Sequence, residues 1–150
     1  MERWKNKAKG LLRLLLPLLP LLPLLPLPLV AQSPSTVWDG VYTETQAARG
    51  QAIYGERCSA CHGSGLEGTD MTPGLTSGTF TSTWNELTVG DLFERIRVTM
   101  PVDQPGSLSR QQTADVVAYL FKANSWPAGA TELSRELVVL KGIRILSLKP

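Results

Sequence analysis

Two thiols and one imidazole fall within five consecutive residues, Cys58-Ser59-Ala60-Cys61-His62. On a helical turn, positions i, i+3 and i+4 project from the same face, so these three side chains leave the backbone together. Two sulfurs at that spacing can reach the two vinyl groups of one haem while the adjacent imidazole reaches its iron. Cys-x-x-Cys-His is the attachment pattern of a c-type haem. The chain holds 2 cysteines and 1 histidine in 150 residues, and the motif uses all of them. A redox dithiol calls for a βαβ context that the sequence lacks. Zinc calls for four ligands where three are at hand. A solitary surface histidine would leave the two thiols beside it without a role. The expected cofactor is one haem c, covalent through Cys58 and Cys61, with His62 on the metal.

Iron with a single protein ligand is open to gas or peroxide. With two it is filled and passes electrons, and a thioether as the second ligand raises the reduction potential. The chain has 3 methionines, Met1, Met71 and Met100. Met1 lies in an N-terminal segment expected to be removed. Met100 stands directly before Pro101, where the chain must leave its helix, and 38 residues after His62, enough to wrap the opposite haem face. Met71 follows His62 by 9 residues, inside a Gly/Thr-rich loop on the histidine side. Met100 is the expected sixth ligand, therefore also a metal ligand. Ligation by Met71 and a purely packing Met100 are the alternatives.

Three helices are needed to hold these groups. Thr43 and Gln46 have the spacing of a capping box, and Ala47, Gly50, Tyr54, Cys58 and Cys61 recur along one face after it. Gly63, Gly65 and Gly68 predict the stop, followed by a long loop over residues 63–85. Thr88 and Asp91 open a second helix whose Val89, Leu92, Phe93 and Ile96 make an apolar stripe, ended by Pro101. Ser109 and Gln112 cap a third. Its two adjacent stripes, Ala114, Val117, Ala118, Phe121 and Val116, Tyr119, Leu120, Ala123, predict heavy burial up to a stop at Asn124. A short helix over residues 134–140 and a strand over 143–146 are expected in the tail.

Residues 1–31 carry a basic start (Arg3, Lys5, Lys7, Lys9, Arg13), an apolar run over 14–30 and the small Ala31, the pattern of an export signal. The rival reading is an uncleaved anchor. Pro17, Pro20, Pro23, Pro26 and Pro28 each remove a backbone donor and clash with the preceding turn, which lipid does not tolerate well. Cleavage is expected, with a membrane role only if the segment is retained. The whole chain carries 15 Lys+Arg and 13 Asp+Glu, net +2; five of the bases and one of the acids lie in residues 1–31, which leaves ten and twelve, net −2. The basic balance belongs to the signal, and nucleic-acid binding loses its support. The expected organisation is a signal at 1–31, an N-terminal arm at 32–42 that is loose unless Trp38 and Tyr42 pin it, the haem domain at 43–124 and a C-terminal extension at 125–150.

Residues 43–124 resemble class I, monohaem cytochromes c. Gly50, Tyr54 and Tyr119 are similar to the glycine and aromatics at the family's first-to-last helix crossing, and Gly50 would let the backbones approach. Pro73-Gly74-Leu75 resembles the segment whose proline carbonyl accepts the axial imidazole N–H. Met100-Pro101 resembles the family's axial pair, and Trp84 an aromatic near a haem propionate; the alternative for Trp84 is a core tryptophan. The resemblance implies an all-α cytochrome c fold around a haem crevice, with the haem edge near Cys58, Cys61, Pro101 and Val102. Arg57, Arg95 and Arg97 are read as solvated surface, with propionate or partner contact as the alternative. The flanks, residues 37–43 and 127–133, resemble cytochrome modules that accompany PQQ-dependent quinoprotein dehydrogenases of bacteria. The implied function is that of a periplasmic one-electron carrier, not an enzyme, between such a dehydrogenase and a terminal oxidase or another cytochrome. The alternatives are an open-site peroxidase or gas sensor, and a fixed relay subunit of a dehydrogenase complex.

Overall fold

The hydroxyls of Thr43, Thr88 and Ser109 each accept a hydrogen bond from the amide three residues on, and each starts one of the three long helices. The computed structural model describes residues 36–150; the expected export signal and the first residues of the arm lie outside them. The described chain is all-α: α1 (Glu44–Arg57), α2 (Ser59–His62), α3 (Ser77–Trp84), α4 (Val89–Thr99), α5 (Arg110–Ala123) and α6 (Leu137–Leu140), preceded by a 3-10 turn at Val37–Asp39. Among the described residues no helix is long and apolar enough to cross a membrane.

α1 packs chiefly on α5. Gly50 sits at the crossing, where an added Cβ would lie 1.8 Å from the Asp115 carbonyl oxygen and 2.9 Å from Tyr119 Cβ. No side chain larger than hydrogen fits there. One turn further on, the rings of Tyr54 and Tyr119 stand 5.4 Å apart and tilted by 53°. Beside the crossing, the Arg49 guanidinium donates to both carboxylate oxygens of buried Asp115, at 3.0 Å each, and to Glu132 at 2.9 Å. The α5 face is as broad as its two stripes predict, with every residue from Thr113 to Phe121 buried.

α4 and α5 carry complete capping boxes, Thr88 with Asp91 and Ser109 with Gln112. The box expected for α1 is only half made. Gln46 is fully buried, and its amide turns away to pair with the Leu133 backbone, donating at 3.1 Å and accepting at 2.6 Å. A buried amide with a free strand of backbone beside it satisfies more groups that way than by bonding its own helix start.

Three further expectations change. The loop over 63–85 contains α3, which has no apolar period: it buries Phe80 and half-buries Trp84, while Ser82 and Thr83 turn their hydroxyls onto the Thr79 carbonyl. The arm is pinned from Val37 onward, Tyr42 buried and Trp38 packed as the alternative reading had it, with Val37 and Val41 also in the core. The tail helix is shorter than expected, Leu137–Leu140, and residues 143–146 form no strand. They run extended between two segments and pair singly with each: the Arg144 carbonyl accepts from Val37 N, Ile143 O from Val89 N, and Ile145 bonds Leu87 and Glu86. Leu140, Ile143 and Ile145 are buried there.

Candidate functional site

The end of α1 delivers the motif. Cys58 leaves helical geometry (φ −128°, ψ −34°) yet its N–H still bonds Tyr54 O at 2.9 Å. A new turn then starts, with Cys61 N and His62 N both donating to Cys58 O at 3.1 and 3.0 Å. Cys58, Cys61 and His62 therefore share one turn, as their spacing predicts. The two cysteines form no disulfide; Cys58 is half-buried against the core and Cys61 is exposed. Burial pushes the Cys58 thiol pKa up, against the opposing field of Arg57.

His62 is buried, and its Nδ1 lies 2.9 Å from the Pro73 carbonyl oxygen. A carbonyl only accepts, so Nδ1 carries the proton and Nε2 presents its lone pair. The segment that returns Pro73 to the ring is tied at its neck: Gly68 N donates to His62 O at 2.8 Å, Leu75 N to Leu66 O at 2.8 Å, and Thr69 and Thr72 pair across the turn. Gly68 has φ +78°, and a Cβ there would stand 2.5 Å from Thr72 O and Gly74 N. From the other side, Asn124 Nδ2, at the end of α5, donates to Leu75 O at 2.9 Å. Tyr54 donates its hydroxyl to Gly63 O at 2.6 Å, fixing the exit from the motif.

Met100 caps the C-terminus of α4. Its N–H bonds Ile96 O at 2.9 Å, its backbone is extended, its side chain is half-buried, and Pro101 behind it is buried. Met71 is 93% exposed in the Thr69–Thr72 turn, with no packing to hold it toward any centre. Trp84 is half-buried on the core edge, 6.4 Å from the Phe80 ring. Arg95 is exposed and Arg97 half-buried on α4. Arg57 reaches across to residues 101–107, donating to Gln104 Oε1 at 3.0 Å and Ser107 Oγ at 2.8 Å. Sequence reasoning assigned nothing to Asn124 beyond a helix stop, and read Arg57 as solvated surface, with propionate or partner contact as the alternative, not as a contact of the 101–107 loop. Neither bond has a local signal, because each joins residues 47 or more positions apart.

Among the described residues, no three His, Cys, Asp or Glu side chains form a group that could hold a bare metal ion. The donor set fits a porphyrin better: two cysteine sulfurs on one turn at different depths, and an imidazole with Nδ1 tied to a carbonyl and Nε2 on its other side.

A family model described as cytochrome c oxidase, cbb3-type, subunit III matches residues 45–120, half of the chain. Among solved structures the chain is similar to the sulfane dehydrogenase SoxCD from Paracoccus pantotrophus, at 24% identity and a TM-score of 0.44, over 59% of this chain and 53% of that one. The chain thus spans about half the length of that relative. No curated protein matches it. The family match runs from the first turn of α1 nearly to the end of α5 and encloses the Cys58–His62 turn, so the chain belongs to this cytochrome c family, an all-α haem c domain of electron-transfer type.

Proposed function

We propose that this protein is a periplasmic carrier of single electrons, with one haem c bound through thioethers to Cys58 and Cys61 and ligated axially by His62 and Met100. The observation that carries the reading is the 2.9 Å bond between His62 Nδ1 and Pro73 O. It commits the ring to one tautomer and leaves Nε2 as a ligand of raised basicity. Haem c supplies an iron that cycles between Fe(II) and Fe(III). The chain's own residues keep the geometry constant through that cycle. Gly68 and Tyr54 hold the carbonyls of His62 and of Gly63 just after it, and Met100 leaves α4 at a break enforced by Pro101. Trp84, half-buried on α3, would border a propionate of the bound haem.

Exposed Cys61 and Val102, the latter 73% accessible, mark the edge where a redox partner docks through a small, transient interface. The proposed donor is a PQQ-dependent quinoprotein dehydrogenase, and the acceptor a terminal oxidase or another cytochrome. Support for that donor is the likeness carried by the flanks. These flanks pack on each other: Gly129 N donates to Tyr42 O at 2.7 Å, and a Cβ on Gly129 would lie 2.0 Å from Gly40 O. Export rests on the basic and apolar pattern of residues 1–31.

Met100→Ala separates the carrier from an open-site peroxidase or sensor. In the carrier, the substitution changes the ferric spectrum and lets the reduced protein bind carbon monoxide. An unchanged spectrum, with carbon monoxide binding already present in the parent, would rule out Met100 as a ligand and favour the open site.

A further inference from the structure

The loop that follows Met100 is built from two short turns, Gln104 N to Pro101 O at 3.0 Å and Ser107 N to Gln104 O at 3.2 Å, before Leu108 buries itself and α5 begins. Apart from Pro101 and Leu108, its residues are exposed. Arg57 is the last residue of α1 and the immediate neighbour of Cys58. Its Nη2 donates to the side chains of both residues that anchor these turns, Gln104 and Ser107, from 47 and 50 positions away. A planar guanidinium can hold two acceptors at once in a fixed geometry, which an ammonium on a flexible stem does less well. Both acceptors are neutral, so this contact is a positional latch and not an ion pair.

We propose that Arg57 is a positioning residue for Met100: it ties the cysteine-bearing end of α1 to the 101–107 loop and so holds the methionine against the metal. The inference rests on the reading of Met100 as an axial ligand. With the latch open, the loop and Met100 move away for a larger fraction of the time, and an outside ligand competes more successfully for the vacated position.

The probe is imidazole, titrated into the ferric holoprotein and followed by the haem absorption band. Arg57→Ala and the double variant Gln104→Ala/Ser107→Ala should each tighten imidazole binding about three- to ten-fold, the size expected for losing one or two exposed hydrogen bonds. Combining all three substitutions should add little, because they break one contact. A tightening with Arg57→Ala alone would show that the arginine acts through its charge and would overturn the latch. Unchanged affinity in both variants, or fully additive effects, would overturn it as well. Met100→Ala is measured alongside. If it leaves the ferric spectrum and imidazole affinity unchanged, the ligand assignment fails and the latch falls with it. If it alters both while the latch variants alter neither, the latch alone is wrong.

Discussion

A methyl group on Gly50 would stand 1.8 Å from the Asp115 carbonyl oxygen. Two effects compete there. Alanine is the better helix former by about 1 kcal/mol. The clash, however, is with backbone and with Tyr119 Cβ, neither of which can rotate away. Overpacking of this kind costs about 1–3 kcal/mol, or more when helices must separate. Gly50→Ala should therefore lower the thermal unfolding midpoint; a higher midpoint would mean that α1 and α5 are not in close contact. At this scale the sequence was most informative where chemistry is local. Cys58, Cys61 and His62 need only one turn to meet, and their spacing states it. The return of Pro73 to His62 is different. It depends on Gly68, on the Leu66–Leu75 pairing and on Asn124 reaching in from α5, and only likeness to a family pointed to it.

Elements were legible where a polar side chain serves its own helix. Thr88 with Asp91 and Ser109 with Gln112 form the boxes their spacing predicts. Gln46 does not, because burial beside Leu133 offers it a better partner. α3 was not visible, since Gly78, Thr79, Thr81, Ser82 and Thr83 are poor helix formers and only Phe80 and Trp84 pack. The α4 box has a pH signature. Bonds from the Thr88 hydroxyl and amide, helped by Lys141, hold the Asp91 carboxyl below the usual aspartate range. A folded-state pKa below the unfolded value near ~3.9 means that Asp91 stabilises the fold above about pH 4, and that this contribution disappears as the pH falls further. Asp91→Asn should thus be less stable than the parent at pH 7, with the difference shrinking below about pH 4 in denaturant titrations. A gap that stays constant down to pH 2 would contradict the role given to this carboxylate.

Across the described residues, the two ends of the chain close on each other and on the start of α4. Val37 N bonds Arg144 O, Trp38 and Trp126 both donate their indole N–H to Leu146 O, and Val89 N bonds Ile143 O at the start of α4. The sequence does not announce this closure of arm on tail, because the link is made by backbone groups and three scattered apolar residues, with no period to reveal it. Leu140 is completely buried at the centre of the tail's contact with α4. Leu140→Ala should cost about 2–5 kcal/mol, and deletion of residues 137–150 should cost more, measured by denaturant unfolding. A tail that can be removed with no loss of stability would show that the haem domain ends at Asn124 and is independent of it.

The account depends most on one covalent outcome, the capture of a single porphyrin by the Cys58–His62 turn. The direct measurement is the intact mass of the purified protein, made in cells with a working cytochrome c maturation system and paired with a pyridine haemochrome spectrum. The account predicts the polypeptide plus one haem, with the spectrum of a porphyrin whose two vinyl groups are saturated by sulfur. A colourless protein with the mass of its amino acids alone would contradict it.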